Sequence, residues 1–331
     1  MDEDRSIYAT GIARYFGEVK AVDGVDLAIG SGEVFGFLGP NGSGKTTMVR
    51  MLTTILAPTE GSARVAGFDV TKDQQQVRAR IGVALQEVGL DLLMTAREML
   101  LLQSRLFGAD PATAAKTAAR LLRTVGLDEV DPKKRVGQYS GGMKRRLDLA
   151  LALVNDPLAL FLDEPTTGLD PVSRSAVWEE VRRLNTERGM TIFLTTQYLE
   201  EADKLADRVA IINRGRIVAE GSPRGLKKEI GEEVVTLSFS SGEAAARAEV
   251  VLADLAPARR LADRELLCYF AAAAARLPEL VRVLDDAGVA LEGISISEPT
   301  LDDVFLRATG HRMALGRVAA DGPPADGAPA A

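Results

Sequence analysis

Gly39-Pro40-Asn41-Gly42-Ser43-Gly44-Lys45-Thr46 is a complete G-x-x-x-x-G-K-T loop, and its reading decides the fold. Small residues at this spacing let successive backbone N–H groups close around phosphate oxygens. Lys45 reaches the outer phosphates, and the Thr46 hydroxyl ligates Mg²⁺. Thr47, next along, belongs to the same nucleotide-binding set. Upstream, Val34 to Leu38 is a short apolar run that feeds the loop as a strand; downstream, Lys45 to about Ile55 is patterned as a helix.

Further from the loop, short apolar runs continue to alternate with helical patterns, which predicts an α/β sheet protein. Ile81 to Leu85 reads as a strand ending at Gln86. Thr95 to Val125 is helical, with Asp110-Pro111 opening a second helix. Ser140 caps a helix whose inner face carries Leu147, Ala150, Leu151 and Val154, and Pro157 stops it. Leu158 to Leu162 is continuously apolar, as a strand buried on both faces must be. Asp170-Pro171 opens a helix expected to bury Val172, Val177, Val181 and Leu184. Thr191 to Thr196 is another strand, with a helix beginning near Gln197.

In an open α/β sheet, ligands bind beyond the carboxyl ends of the strands. The phosphate loop, Gln86, Asp163-Glu164 and Gln197 all fall at such ends. Asp163 is suited to hold Mg²⁺, which prefers oxygen ligands and keeps several waters. Glu164 can polarise the water that attacks the γ-phosphate. Ser140-Gly141-Gly142 combines a hydroxyl, glycine N–H groups and a helix N-terminus, which together make an anion site; a plain glycine-rich helix cap is the simpler alternative.

In this order the motifs resemble the nucleotide-binding subunit of an ATP-binding-cassette (ABC) transporter. The resemblance implies a P-loop ATPase using ATP and Mg²⁺. It also implies a helical subdomain, and a head-to-tail homodimer in which Ser140, Gly141 and Gly142 face the nucleotide held by the second copy. Phe16 corresponds to the aromatic that stacks on adenine, with Tyr15 a near competitor. Gln86 corresponds to the glutamine that senses Mg²⁺ and the γ-phosphate beside the membrane partner, and Asp170 to the loop coupling the two sites. Gln197 stands where most relatives have a histidine; it can donate a hydrogen bond to phosphate but cannot become cationic, so a slow ATPase is expected. The stretches Tyr139 to Asp148, Leu194 to Asp203 and Leu301 to Leu306 narrow the resemblance to the daunorubicin/doxorubicin-resistance ATP-binding proteins. There the glutamine is usual, and a separate membrane permease exports the drug. Exporters of lipid or polysaccharide share many of these motifs. A soluble ABC ATPase acting on ribosomes or DNA is the alternative from another class.

After about Gly231 the texture changes. Val234–Phe239, Glu243–Leu255, Arg259–Phe270, Leu277–Ala287, Leu291–Ile296 and Leu301–Thr309 read in turn as strand, helix, hairpin, helix, strand and short helix. The β-α-β-β-α-β order predicts a small ferredoxin-like module. The expected division is an ATPase domain over 5–231 (helical subdomain about 90–157), the α+β module over 232–310 and a disordered tail over 311–331. That tail is rich in Ala, Gly, Pro and Asp.

A net charge of −7 over 331 residues speaks against a nucleic-acid partner. Lys133-Lys134-Arg135 and Lys144-Arg145-Arg146 are read as solvated helix faces. The single cysteine, Cys268, allows no intrachain disulfide and reads as a core filler; His311, the one histidine, reads as incidental. With no signal-like stretch and no run of about 18 apolar residues, the expected location is cytoplasmic, peripheral on the inner face of the cell membrane.

Overall fold

The computed structural model describes residues 5–86, 89–230, 233–253, 255–256, 258–270 and 272–309. The chain begins with two long antiparallel strands, β1 (Arg5–Phe16) and β2 (Val19–Gly30). The wholly buried β3 (Val34–Leu38) then feeds the phosphate loop and helix α1 (Lys45–Leu52). Strands β4 (Glu60–Val65) and β5 (Phe68–Asp69), helix α2 (Gln74–Arg78) and strand β6 (Ile81–Ala84) follow. Helices α3 (Ala96–Leu106), α4 (Pro111–Thr124) and α5 (Gly141–Ala152) lead to strand β7 (Ala159–Asp163). Next come helix α6 (Pro171–Arg188), strand β8 (Thr191–Thr196) and helix α7 (Leu199–Leu205). Strands β9 (Arg208–Asn213) and β10 (Arg216–Gly221) and helix α8 (Pro223–Ile230) come after them. The last stretch comprises β11 (Glu233–Phe239), α9 (Gly242–Leu252), β12 (Ala258–Ala262), β13 (Glu265–Phe270), α10 (Ala273–Asp286), β14 (Leu291–Ser297) and α11 (Leu301–Thr309).

Three helix starts follow the caps read from the sequence, at Asp110, Ser140 and Asp170, and the structure adds a fourth at Thr95. Thr95 and Glu98 form a reciprocal capping box on α3, and Asp110 accepts from the N–H groups of Ala112 and Thr113 ahead of Pro111. Ser140 and Asp170 cap α5 and α6 in the same way. Each such cap satisfies N–H groups that the helix itself leaves unpaired, worth about 1 kcal/mol.

Six strands in the order β10-β9-β3-β8-β7-β6 form the central sheet, in which β3 runs parallel to β8 and β9, and β7 to β6 and β8. Parallel strands end at one edge, so that edge collects the phosphate loop, Gln86, Asp163-Glu164 and Gln197. One face is filled by Phe35, Phe37, Phe161 and Phe193, whose rings contact at 5.6–6.0 Å between centroids. A second, antiparallel sheet, β2-β1-β4-β5, closes over that face. A third sheet has the order β12-β13-β11-β14, antiparallel throughout, as in a ferredoxin-like unit. Helices α9 and α10 cover the face bearing Val235, Leu237 and Cys268. Its other face, with Val234, Leu267 and Tyr269, packs against α8, α11 and Leu38, Val209 and Ile211 of the central-sheet strands.

Several expectations are corrected. Helix α1 stops at Leu52 rather than near Ile55, because the following turn puts Thr54 at φ 65°. Strand β7 starts at Ala159; Leu158 precedes it and is 58% exposed. Val172 is 80% exposed, since it lies in the first turn of α6 before the helix meets the core; Val177, Val181 and Leu184 are buried as expected. Helix α7 begins at Leu199, leaving Gln197 in the loop. The β1–β2 and β9–β10 hairpins were not anticipated. His311 and the tail lie outside the described residues.

Cys268 is fully buried in β13, and burial pushes its thiol up to about 12. Thiol reagents at pH 7 are therefore expected to leave native Cys268 unmodified. In denaturant, labelling should follow the loss of the third sheet; fast labelling of folded protein would contradict this packing.

Candidate active site

The site is built from four strand ends and one helix. Gly39 and Gly44 in the phosphate loop leave no room for a side chain. A Cβ on Gly39 would lie 2.4 Å from the Ile212 carbonyl oxygen, and one on Gly44, at φ 111°, would lie 2.2 Å from that of Ala21. The loop is thus pressed against β2 and β9, and it is further tied by the Gly215 N–H donating to the Ser43 carbonyl (3.0 Å). Helix α1 begins at Lys45 with no side-chain cap and no acidic residue in its first turn, so its leading N–H groups remain free to meet an anion. Pro40, Asn41, Gly42, Thr46 and Thr47 complete the loop and first turn.

Lys45 is 4% exposed, and its ammonium donates to the Gly39 (2.8 Å) and Pro40 (3.1 Å) carbonyls. It also lies 3.2 Å from Glu164 Oε1. This contact joins the phosphate loop directly to the residue proposed as base. Glu164 itself is held in the left-handed region at φ 49°. Such a conformation costs about 1–3 kcal/mol and persists only where surrounding contacts fix it. Here the Glu164 N–H donates to both the carbonyl (3.0 Å) and the hydroxyl (3.1 Å) oxygen of Thr195. Its Oε2 receives the Gln86 amide at 3.4 Å and the Thr167 hydroxyl at 3.2 Å.

Asp163 has no exposed surface; Oδ1 accepts the Thr195 hydroxyl at 2.5 Å, and Oδ2 has no partner among the described residues. Ser43 Oγ and Gln197 Oε1 are likewise buried without partners. Unpaired buried oxygens are rare in folded proteins, and the free Asp163 Oδ2 beside the phosphate loop is the kind of acceptor that a bound cation would satisfy.

A cavity of about 530 Å³ is lined by Gln86, Gly141, Lys144, Glu164 and Thr167 to Leu169. It brings the helix-cap motif to the same opening as the proposed base. Ser140 is exposed at the start of α5, its Oγ accepting the Met143 N–H at 3.2 Å. A Cβ on Gly142 would meet Ser173 Oγ at 2.8 Å, so glycine is needed for α5 to approach α6. Asp170 accepts the Ser173 N–H and hydroxyl, hydrogen bonds that hold its carboxyl below the usual range. Phe16 is half-exposed at the end of β1, under the Arg14 guanidinium. The neighbouring Tyr15 hydroxyl is engaged with Asp23 and Glu60.

Three site residues were not read from the sequence in these roles. Thr195 pins both carboxylate residues, and only its position at the end of β8 could have signalled it. Glu201 is wholly buried, with Oε1 receiving the Thr166 hydroxyl (3.1 Å) and the Trp178 indole N–H (2.9 Å); burial raises its carboxyl above the usual range. Arg145, expected on a solvated face, is 6% exposed and points inward beneath Asp163 and Glu164.

Residues 22–167 match the ABC transporter family. The chain is 45% identical over 310 residues to a daunorubicin resistance ATP-binding protein of Streptomyces coeruleorubidus, covering 93% of this chain and 96% of that protein. A Nod factor export ATP-binding protein of Paraburkholderia xenovorans is 42% identical over 304 residues, covering 91% and 96%. Among solved structures, a dimeric ATP-binding cassette in a post-hydrolysis state, bound to ADP and phosphate, superposes with TM-score 0.60 at 27% identity. That match covers 65% of this chain and 98% of the other. The chain belongs to the ABC transporter family, as an ATP-binding subunit that hydrolyses ATP. Within that family it resembles the daunorubicin/doxorubicin-resistance ATP-binding proteins.

Two outcomes are expected at this site. Wild-type kcat should show no histidine-type step between pH 6 and 7, and Gln197→His should introduce one. A steep wild-type rise in that window would contradict the assignment of Gln197. Separately, burial raises Asp148 to about 6, partly opposed by Arg145. In the folded state Asp148 therefore binds a proton that the unfolded chain, near 3.8, releases. Its contribution to stability is full below the unfolded value and is lost as pH rises through 6. Asp148→Asn should remove that dependence, so wild type should gain about 1 kcal/mol of stability relative to the variant on going from pH 7 to pH 5. Denaturant unfolding at the two pH values measures it.

Proposed function

We propose that the chain is the energy-coupling ATPase of an exporter, driving efflux of a hydrophobic drug or antibiotic through a separate integral-membrane permease. The observation that carries this reading is a groove of about 460 Å³ and mixed lining at Leu85, the residue before Gln86. It is lined by Ile55, Leu85, Leu90, Phe107 and Leu151, with Gln103, Asp148 and Asn155 among its polar members. Leu92, Leu93, Leu102 and Leu106, close in sequence to the lining residues Leu90, Gln103 and Phe107, are all at least half exposed. Exposed apolar surface of this extent suits a partner protein better than water. No helix among the described residues is long and apolar enough to cross a membrane. The export and resistance names of the relatives support a separate permease as the path, with this subunit peripheral on the inner membrane face.

Two copies close head to tail on ATP. Phe16 stacks on the base, and the loop from Gly39 to Thr47 holds the phosphates. Ser140, Gly141 and Gly142 of the partner copy meet the γ-phosphate, with Asp170 coupling the two sites. Thr46, Asp163 and Gln86 would hold Mg²⁺, which neutralises phosphate charge when bound; the unpaired Asp163 Oδ2 fits that role. Glu164 accepts the proton of the attacking water, and Gln197 donates a neutral hydrogen bond to the phosphate. The Lys45–Glu164 pair must open for this: an arriving phosphate competes for the ammonium and frees the carboxylate. The drug-resistance names of the relatives support the substrate class, and the Nod factor export relative supports export with a different cargo. The module over residues 232–310 steadies the dimer or its partner contact.

Glu164→Gln should bind ATP and lose about 10²–10⁴ in hydrolysis, trapping the closed dimer. From gently solubilised membranes this variant should retain a multi-spanning protein only when ATP is present. Recovery of ribosomal or chromosomal material with no membrane protein would overturn the exporter reading.

A further inference from the structure

Arg145 sits on α5, five residues after the exposed Ser140, yet its guanidinium is buried and every donor is used. Nε donates to the Pro165 carbonyl at 2.7 Å. Nη1 donates to the Leu85 carbonyl at 2.7 Å and to Asp148 Oδ2 at 3.2 Å. Nη2 donates to the Asp163 and Glu164 carbonyls, each at 3.0 Å. A guanidinium has five N–H donors in one rigid plane, and here all five have acceptors. Four of these are backbone carbonyls in two segments, the one just before Gln86 and the one carrying Asp163 and Glu164. Burying a cation costs several kcal/mol unless it is fully hydrogen-bonded, so this set of contacts is a built feature of the site.

We propose that Arg145 is a positioning residue for ATP hydrolysis, a strut that locks the backbone of Asp163 and Glu164 to the Leu85 end of the docking groove and to helix α5. Three arguments carry it. Glu164 occupies a left-handed conformation that its own side chain disfavours, and Arg145 grips the carbonyls on either side of that residue as well as its own. Leu85 and Asp148, the other two partners, line the 460 Å³ groove, so the same plane of atoms touches groove and base. The N-terminus of α5 opens toward the cavity shared with Glu164, so a movement of that helix is felt through Arg145 at the carboxylate. A lysine could keep the charge and the Asp148 pairing, but its three donors on a flexible stem cannot span the four carbonyls. The strut therefore depends on the shape of the side chain rather than on its charge.

The inference rests on Glu164 being the base, and the test separates the two. Single-turnover hydrolysis of MgATP by the full chain is compared for wild type, Arg145→Lys, Glu164→Gln and the double variant. A misplacement of about 1 Å at a reacting group costs on the order of 10²-fold. Arg145→Lys is expected to lower the rate by about 10- to 100-fold, with the ATP concentration for half-saturation changed by less than about twofold. In the Glu164→Gln background the same change is expected to cost less than about threefold, because residues acting as a unit are not additive. An unchanged rate in Arg145→Lys, a loss confined to ATP affinity, or, where Glu164→Gln is itself impaired, an equal loss in both backgrounds overturns the strut. A Glu164→Gln variant that hydrolyses normally overturns the base and not the strut, which the rate of Arg145→Lys then decides. Should Arg145→Lys not fold, Arg145→Gln/Asp148→Asn removes the buried pair as a unit and is held to the same outcomes.

Discussion

Burial of charge at the carboxyl edge of the parallel sheet is the constraint from which the rest of the site follows. Asp163 has no exposed surface, and Lys45 and Glu164 have almost none. Ions removed from water are tolerated only when paired and hydrogen-bonded. Lys45 meets this by bridging two loop carbonyls to Glu164, Asp163 by the Thr195 hydroxyl, and the backbone between them by Arg145. No member can move without leaving another unsatisfied. Asp163 Oδ2 is left without a partner among the described residues, an acceptor that a cation held beside the phosphate loop would satisfy.

This arrangement explains which parts of the protein were legible in the sequence. The buried strands declared themselves as continuous apolar runs, and β8 and α11 have the bounds those patterns suggested. Capping residues placed the starts of α4, α5 and α6, because Asp110, Ser140 and Asp170 act within three residues of their own position. The phosphate loop and Asp163-Glu164 were visible because short spacing encodes their chemistry. What stayed hidden depends on distant contacts. The β1–β2 hairpin is irregular, with bulges interrupting the register between Arg5 and Phe16, so its alternation is broken. Arg145 lies in a run of three basic residues that looks like any solvated face. Its burial follows from carbonyls 18 to 60 positions away. Val172 and Leu158 failed the other way: each is apolar at the periodic position but lies at the end of its element, beyond the reach of the core.

The C-terminal sheet meets the ATPase through a short route. Its strands β11 and β13 share an apolar cluster with α8, α11 and Ala202 of α7, with Leu199 and Ala206 packed alongside. Helix α7 is seven residues long, about 10 Å from end to end. On one side it carries Glu201, which anchors Thr166 and Trp178 beside the loop after Glu164. At its start only Tyr198, the helix cap, separates it from Gln197. A helix under two turns long has no internal hinge and moves as one body. The packing of Leu301 and Phe305 against it therefore bears on the same piece of backbone that presents Gln197. With a neutral amide in place of an ionisable imidazole, the contribution of Gln197 depends on where that amide is held rather than on its protonation. Position is what the surrounding packing controls, and that packing includes Leu301 and Phe305 of the C-terminal stretch.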